Sequence, residues 1–357
     1  MIHIAKPLIG KEELDNVRQV LESGMLVQGK WVKEFESEFA QYLNVAHAAA
    51  VTNGTSALDL AMRAIGIGPG DEVIVPDFTF IATANAVVFQ NAKPVFADVK
   101  QDTFTIDPED LNEKITDKTK AVIPVHLFGQ AADMAPIQEI CEKKGIRLIE
   151  DACQAHGAKY DTKMVGGLGS AACFSFYPTK NMTCGEGGMV TTHDPDLDKK
   201  IRILRDQGQT EKYIHSKVGF NFRMTDIAAA IGVAQLKKLP EFTKKRQENA
   251  KKLTEAIEKI DGLTPPKADA NKEHVYHQYV IKTEGRDQLM GKLKEKGIGT
   301  AIHYPTPIHM QQSYKDLGYS EVNCPVTAEL CNKVLSLPVH PAVTNEDLEK
   351  IVNGVSS

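Results

Sequence analysis

Long apolar runs are missing from this sequence. No stretch approaches the roughly 20 apolar residues that a helix needs to cross a bilayer. The N-terminus also lacks the basic segment followed by an apolar core that marks a secretory signal. We therefore expect a protein that neither spans a membrane nor is exported. Low-complexity segments and internal repeats are absent as well.

Cysteine is scarce and follows neither a metal-binding nor a disulfide pattern. The six cysteines include no Cys-x-x-Cys pair, and most of them lie in or beside apolar stretches. Such usage is typical of reduced thiols in a cytoplasmic protein, not of a disulfide framework or a zinc site. We expect a cytoplasmic protein without a metal site.

An excess of basic charge is also lacking. The chain carries 42 lysine and arginine residues against 47 aspartate and glutamate residues, which gives a net charge of −5. Nucleic-acid-binding proteins usually present a basic face, so this balance argues against nucleic acid as the main partner. One local basic cluster, Lys244-Lys245-Arg246, is interpreted as a solvated helix face.

The pattern of apolar residues predicts an α/β fold. Short apolar runs alternate with helical patterns, which is typical of a mostly parallel sheet covered by helices on both faces. The runs lie at residues 48–51, 72–75, 94–97, 120–125 and 146–149.

A chain of 357 residues is long enough for two domains. A helical pattern ends at Pro240, and a charged helix is predicted from there to about residue 260. We expect residues 1–240 to form a large domain and residues 241–357 a smaller α+β domain.

Lys180 stands out because of what surrounds it. An apolar run with aromatic residues precedes it, and a glycine-rich turn at 185–188 leads into a second apolar run. A lysine between two buried strands loses hydration, which lowers its pKa and makes it a nucleophile. The alternative is an ordinary solvated surface lysine, as most lysines are.

Asp151 follows the apolar run 146–149 and precedes Lys180 by 29 residues. An aspartate at the carboxyl end of a parallel strand points into the crevice where ligands of open α/β sheets bind. A lysine and an aspartate facing one crevice suit pyridoxal phosphate. The lysine forms the Schiff base, and the carboxylate keeps the pyridinium nitrogen protonated. Alternatively, Asp151 is the N-cap of a helix over the residues that follow it.

The segment Asn53-Gly54-Thr55-Ser56 lies between a predicted strand and a predicted helix. A helix N-terminus with Gly, Thr and Ser offers N–H groups and hydroxyls to a phosphate. The same four residues also occur as a simple turn and cap. The order of phosphate cradle, aspartate and lysine along the chain is a stronger indication than any one of the three.

With these motifs the chain resembles the DegT/DnrJ/EryC1/StrS family of sugar aminotransferases, which belongs to the fold type I superfamily of aspartate aminotransferase. The similar segments run nearly from end to end: residues 23–29, 34–36, 52–58, 68–76, 79–80, 124–130, 150–157, 175–180, 185–188, 221–224 and 303–305.

The resemblance implies a homodimeric enzyme dependent on pyridoxal 5'-phosphate, with shared active sites. Its substrates would be an amino-acid donor, usually glutamate, and a keto sugar carried on a nucleotide, in amino-sugar and polysaccharide biosynthesis. It also implies that the first few residues pack with the small domain. Which nucleotide, sugar and ring carbon are involved stays open, as do the choice between glutamate and glutamine, any assembly beyond the dimer, and the pathway.

The resemblance also assigns roles to individual residues. Lys180 would be the catalytic residue, with Asp151 at the ring nitrogen, Gln154 beside the ring and Phe80 stacked on it. Phosphate contacts would come from Gly54, Thr55, Ser56, Ser175 and, from the neighbouring subunit, Asn221. Substrate contacts would come from Met25, Gln28, His303, Tyr304 and His309, although His303 and His309 equally suit ordinary polar surface positions.

Two other functions remain as alternatives. Some similar proteins replace the lysine by histidine and dehydrate the sugar, and the presence of Lys180 argues against that branch. A regulator that binds the cofactor without catalysis would need an output element. The sequence shows no helix-turn-helix pattern and no appended domain.

Overall fold

The computed structural model describes residues 1–356, in which fourteen strands and twelve α-helices are arranged around one large sheet. The strands are β1 (His47–Val51), β2 (Glu72–Pro76), β3 (Lys93–Ala97), β4 (Thr119–Val122), β5 (Arg147–Asp151), β6 (Lys159–Tyr160), β7 (Lys163–Met164), β8 (Ala171–Ser175), β9 (Gly188–Thr192), β10 (Gln209–Glu211), β11 (Ile214–His215), β12 (Lys272–Glu273), β13 (Tyr279–Lys282) and β14 (Val334–Leu337). The helices are α1 (Lys11–Ser23), α2 (Lys30–Leu43), α3 (Gly54–Ile65), α4 (Ala82–Val88), α5 (Pro108–Glu113), α6 (Met134–Lys144), α7 (Pro195–Arg205), α8 (Asp226–Ile257), α9 (Arg286–Glu295), α10 (Gln312–Asp316), α11 (Pro325–Lys333) and α12 (Asn345–Val355).

The large sheet has seven strands in the order β1-β9-β8-β5-β4-β2-β3. The pairs from β8 through to β3 are parallel, and β9 pairs antiparallel with both β1 and β8. The predicted mostly parallel α/β sheet is therefore confirmed. One antiparallel strand was not anticipated, because the glycine-rich turn returns the chain directly beside β8.

Alternate residues of each strand enter opposite cores, as the pleat requires. In β1, Ala48 and Ala50 belong to the cluster that includes residues of α2 and α8. Ala49 and Val51 belong to the cluster that includes residues of α3 and α7. Both faces of the sheet are thus covered by helices, which explains why its strands are nearly uniformly apolar.

The long helix α8 corrects the sequence prediction around Pro240. Two helices were predicted with a break at this proline, but α8 runs unbroken from 226 to 257 with Pro240 inside it. Thr225 caps its start by accepting a hydrogen bond from the N–H of Ala228. Packing of α8 against α1 and α2 outweighs the helix-breaking tendency of one exposed proline.

A smaller core lies toward the C-terminus. It combines the end of α8 with β13, β14, α9 and α12. Ile2 packs on this core and pairs with Ile298, and its N–H donates to the carbonyl of Gly297. The N-terminal residues therefore join the C-terminal part of the chain, while the division at residue 240 stays a prediction.

The basic cluster 244–246 is not a uniformly solvated helix face. Lys244 is exposed, but the Arg246 side chain is buried, with 5% of the residue exposed. The prediction was wrong for Arg246 because α8 turns this residue toward the segment that precedes β13.

In the described residues, no helix has both the length and the apolar character needed to cross a membrane.

Phe39 provides a test of the core behind the large sheet. The ring is fully buried, and its centroid lies 5.0 Å from that of Phe174 and 5.4 Å from that of Phe176. We expect Phe39→Ala to lower the free energy of unfolding by about 3–5 kcal/mol, because it removes buried area and leaves a cavity. Urea denaturation measures the loss. Phe89→Ala, at a half-exposed ring, should cost far less, and equal losses would contradict this packing.

Candidate active site

A cavity of about 450 Å³ opens at the carboxyl ends of the parallel strands. Asp151 ends β5, Ser175 ends β8, and the N-terminus of α3 closes one side. This is the edge at which open α/β sheets bind ligands. The structure brings nine of the predicted site residues to the cavity wall: Gly54, Thr55, Phe80, Asp151, Gln154, Ser175, Lys180, His303 and Tyr304.

Lys180 lies on the loop between β8 and β9 and reaches the cavity wall. Its backbone N–H donates to the carbonyl of Tyr177 at 2.9 Å. Burial lowers the pKa of the Lys180 ammonium below its ordinary value, and the nearby Cys153 and Asp151 oppose this shift without reversing it. Lys180 is partly exposed and lies on the cavity wall. A lowered pKa increases the fraction of neutral amine, which is the nucleophilic form.

Asp151 is held by two hydrogen bonds at the cavity floor. Its Oδ2 accepts from the hydroxyl of Thr83 at 2.7 Å, and its Oδ1 accepts from the N–H of Cys153 at 3.1 Å. Residues 152–155 form a turn and no helix, so the interpretation of Asp151 as a helix N-cap was wrong. Both oxygens are oriented before any ligand arrives, which suits a carboxylate that must face one atom of a bound molecule.

The start of α3 forms a small polar cradle. Asn53 caps the helix, and its Oδ1 accepts from both the N–H (2.8 Å) and the hydroxyl (3.0 Å) of Ser56. Ser56 therefore bonds within the chain and does not line the cavity, whereas Gly54 and Thr55 do. A Cβ on Gly54 would lie 2.8 Å from that of Ser175, so only glycine permits this close approach.

Gln154 connects the cavity floor to the loop that carries Tyr304. Its Oε1 accepts from the N–H of Phe128 at 3.0 Å, and its Nε2 donates to the hydroxyl of Tyr304 at 3.1 Å. Phe80 stands at the mouth, 55% exposed, with its ring centroid 6.2 Å from that of Tyr304. An exposed ring on a cavity wall is available to stack on a ligand.

The other predicted residues lie outside the cavity. Met25 and Gln28 are on the loop before α2, where Met25 is exposed and the Oε1 of Gln28 is buried without a partner. Asn221 is exposed, and its backbone pairs with Asp206. None of these three lines the cavity of its own chain.

His309 is buried against the large sheet. Its Nδ1 lies 2.5 Å from Oδ2 of Asp77, and its backbone N–H donates to Oδ1 of the same residue. Burial raises the pKa of Asp77, and the contact with His309 opposes that rise. His309 is thus neither a surface group nor a part of the cavity wall; it ties the loop after Tyr304 to the end of β2.

Sequence reasoning missed several lining residues, including Thr83, Cys153, Glu186, His277 and Gln278. Thr83 lies on α4, and His277 and Gln278 lie just before β13. Each is far from Asp151 and Lys180 along the chain, and single polar residues beside a strand carry no recognisable pattern. Cys153 and Glu186 lay in segments that had already been singled out, residues 150–157 and the glycine-rich turn 185–188.

The wall chemistry fits one kind of ligand. It offers the amine of Lys180, the oriented carboxylate of Asp151 and the exposed ring of Phe80. Gly54 adds a helix N-terminus, and the hydroxyl of Thr79 is buried without a partner. An amine, a carboxylate, a stacking ring and a phosphate cradle are what a phosphorylated pyridine aldehyde needs.

In residues 1–356, no group of three His, Cys, Asp or Glu side chains is placed to hold a metal ion.

Comparison with known proteins points to the same ligand. Residues 7–356 match the model of the DegT/DnrJ/EryC1/StrS aminotransferase family. A Geobacillus stearothermophilus protein named pleiotropic regulatory protein is 42% identical over 95% of this chain and 92% of its own length. The UDP-N-acetyl-3-dehydro-alpha-D-glucosamine 3-aminotransferase of Acidithiobacillus ferrooxidans is 40% identical over 95% and 92%.

A solved structure matches at the level of the backbone. The crystal structure of S. venezuelae DesV in complex with a ketimine intermediate superimposes with a TM-score of 0.94 at 38% identity. The match covers 97% of this chain and 93% of that chain. The fold is that of the fold type I aminotransferases, and the cofactor is pyridoxal 5'-phosphate.

His156 allows a test of the electrostatics behind Lys180. Its buried ring contacts Phe174 and Phe176, and neither ring nitrogen has a partner. Burial and the charge of Lys180 lower the pKa of His156 from 6.5 to about 3. The unfolded chain therefore binds one more proton than the folded chain between these values. Stability is fully present above pH 6.5 and falls by about 1.4 kcal/mol per pH unit below it.

We expect His156→Phe to remove this contribution, because phenylalanine fits an apolar, unpartnered site. The slope of unfolding free energy against pH, measured by urea denaturation between pH 6.5 and 4, should flatten by about one proton. His193→Phe, at an exposed histidine, is the matched control for replacing one imidazole by a phenyl ring. An unaltered slope in His156→Phe would show that His156 is protonated within the fold.

Proposed function

We propose, since the chain belongs to the DegT/DnrJ/EryC1/StrS aminotransferase family, that it transfers an amino group from an amino acid to a keto sugar carried on a nucleotide. The chain is an aminotransferase that depends on pyridoxal 5'-phosphate. The observation that carries the proposal is the placement of Lys180 and Asp151 on one cavity wall, with the cradle at Gly54 beside them. L-Glutamate is the donor we propose, and the product would serve amino-sugar or polysaccharide biosynthesis.

In this proposal Lys180 holds the cofactor covalently and also moves the proton. Its amine is the one lysine nitrogen among the residues that line the cavity, and its lowered pKa increases the fraction of neutral amine, which is the form that accepts a proton. The bound cofactor supplies an electron sink for the carbanion at the reacting carbon. Asp151 favours the protonated ring nitrogen, and Thr83 and the N–H of Cys153 keep its carboxylate in place.

The remaining cofactor contacts divide between two subunits. Gly54, Thr55 and Ser175 face the cavity and are proposed to bind the phosphate, with Asn221 of the partner subunit completing that site. Ser56 would support the cradle through Asn53. Phe80 is proposed to stack on the ring from the cavity mouth, and Gln154 to lie beside it, holding Tyr304.

A homodimer would bring Asn221 of each subunit to its partner's cavity. Two features support this proposal: Asn221 is exposed yet outside its own cavity, and large apolar side chains near it are exposed. Tyr213, Ile214 and Val218 are 81%, 55% and 92% exposed on one segment, and grouped apolar exposure of this kind suits a protein contact. We place the protein in the cytoplasm, where its six free cysteines would stay reduced.

The name of one relative favours a second candidate, a regulator that binds the cofactor without turnover.

Purified protein given ¹⁵N-glutamate and a panel of keto nucleotide sugars should form a ¹⁵N-labelled amino sugar, measured by mass spectrometry. Lys180→Ala should form none, because the group that moves the proton is gone. Deoxygenated product without nitrogen would indicate a dehydratase, and absence of turnover across the panel would favour the regulator.

Subunit mixing tests the shared site. Lys180→Ala and Asn221→Ala proteins should each be inactive or nearly so. After subunit exchange, a mixed dimer has one site with both changes and one site with neither. Activity should return to about a quarter of wild type, since half of randomly exchanged dimers are mixed and each has one intact site. No recovery, despite exchange shown by native mass spectrometry, would mean that Asn221 acts within its own chain.

A further inference from the structure

Arg246 is a buried cation without an acidic partner. Its Nη1 donates to the carbonyls of Tyr276 (3.1 Å) and His277 (3.3 Å), and its Nε has no partner. Among residues 1–356, no acidic side chain contributes to the pKa of Arg246, which burial alone shifts. Burial lowers the pKa of Arg246 to about 10, so the group is charged at neutral pH. An unpaired buried charge is costly, which indicates a purpose beyond packing.

The segment held by Arg246, residues 274–278, is also fixed by the loops that follow β4 and β8. The N–H of Val275 donates to the carbonyl of Gly129 at 2.9 Å, and the amide of Asn181 donates to the carbonyl of Val275 at 3.0 Å. A Cβ on Gly129 would lie 2.8 Å from the backbone nitrogen of His277, so the segment around Gly129 and the segment 274–278 approach each other closely. Asn181 directly follows Lys180, which ties this segment to the reactive loop.

This fixation places His277 and Gln278 on the cavity wall. Each is only 6% exposed, and the Nδ1 of His277 is buried without a hydrogen-bond partner. Burial and the positive charges of Lys180 and Arg246 hold the pKa of His277 well below its ordinary value. A neutral imidazole and an amide therefore face the cavity, with a permanent cation directly behind them.

We propose that His277 and Gln278, positioned by Arg246, bind the carboxylate of the amino-acid donor. This inference rests on the proposed function. The α-carboxylate of an amino acid is bound to the same carbon as the reacting amine, so it must lie close to Lys180. The phosphates of a nucleotide sugar are separated from the keto carbon by part of the sugar ring, which places them farther out.

The arrangement also explains why the cation does not face the cavity itself. Both substrates use one cavity in turn. A guanidinium on the cavity wall would hold the carboxylate of the amino-acid donor, but it would also oppose the replacement of that donor by an uncharged sugar ring. Neutral His277 and Gln278 can donate to a carboxylate and exchange hydrogen bonds with sugar hydroxyls. Arg246 adds a positive potential that favours the anion without contacting it.

The test separates the two half-reactions of the holoenzyme. His277→Asn should weaken the apparent affinity for L-glutamate, followed by cofactor absorbance in single turnovers, by about tenfold to a hundredfold. The affinity for the keto nucleotide sugar should change less than about threefold, because neutral contacts are individually weaker. Arg246→Met should act in the same direction on glutamate.

His274→Asn is the matched control. His274 is equally buried in the same segment, but its Nδ1 accepts from the N–H of Tyr276 and its ring lies outside the cavity. This variant reports any disturbance of segment 274–278. It should leave glutamate affinity within about threefold of wild type, since it removes no contact with the amino-acid donor. If Arg246→Met fails to fold, His277→Asn and its control still decide the matter.

Calorimetry with glutarate, an unreactive dicarboxylate, gives a second measurement that does not depend on turnover. Glutarate should bind the wild-type protein and bind His277→Asn at least about tenfold more weakly. If the wild type transfers no nitrogen but glutarate binding depends on His277, the proposed function fails and the subsite stands. Unchanged glutamate and glutarate affinity in His277→Asn overturns the subsite, as do equal losses for both substrates or a wild type that binds neither acid.

Discussion

The parallel pairing of β5 with β8 is the constraint on which the site depends. It sets Asp151 opposite Cys173, so the carboxyl ends of both strands open on the same edge. From there the chain must pass through a loop to reach β9, and Lys180 lies on that loop. A shift of one residue in this pairing would turn Asp151 into the core on the other face of the sheet. The carboxylate and the amine therefore share a cavity because of register, not because of any direct bond between them.

Burial, more than ion pairing, sets the pKa values of the basic side chains around this edge. Burial lowers the pKa values of Lys180, His156 and His277 together. Two carboxylates line the cavity: Glu186 is exposed to solvent, and the oxygens of Asp151 already accept from Thr83 and Cys153. Such an environment favours anionic ligands, which agrees with a phosphorylated cofactor and an acidic donor.

Sequence predictions failed where packing opposed a local rule. Pro240 was expected to end a helix, yet α8 continues through it because both of its ends are packed against other helices. Arg246 was interpreted as a surface residue from its basic neighbours, which carry no information about the one side chain that turns inward. Asp151 was considered as a cap, but no helix follows it. Each failure reflects a contact with a residue distant in the chain.

The sequence by itself determined the alternation of strands and helices, the family, and the order of cradle, aspartate and lysine. These depend on local periodicity and on motifs of a few residues, which can be read without coordinates. The tertiary structure alone decided which polar groups meet. Thr83 and His277 reach the site from α4 and from the segment before β13, Arg246 supports that segment from α8, and His309 is withdrawn from the site by Asp77. Contacts between residues far apart in the chain are set by the packing of whole helices and strands, which no short segment encodes.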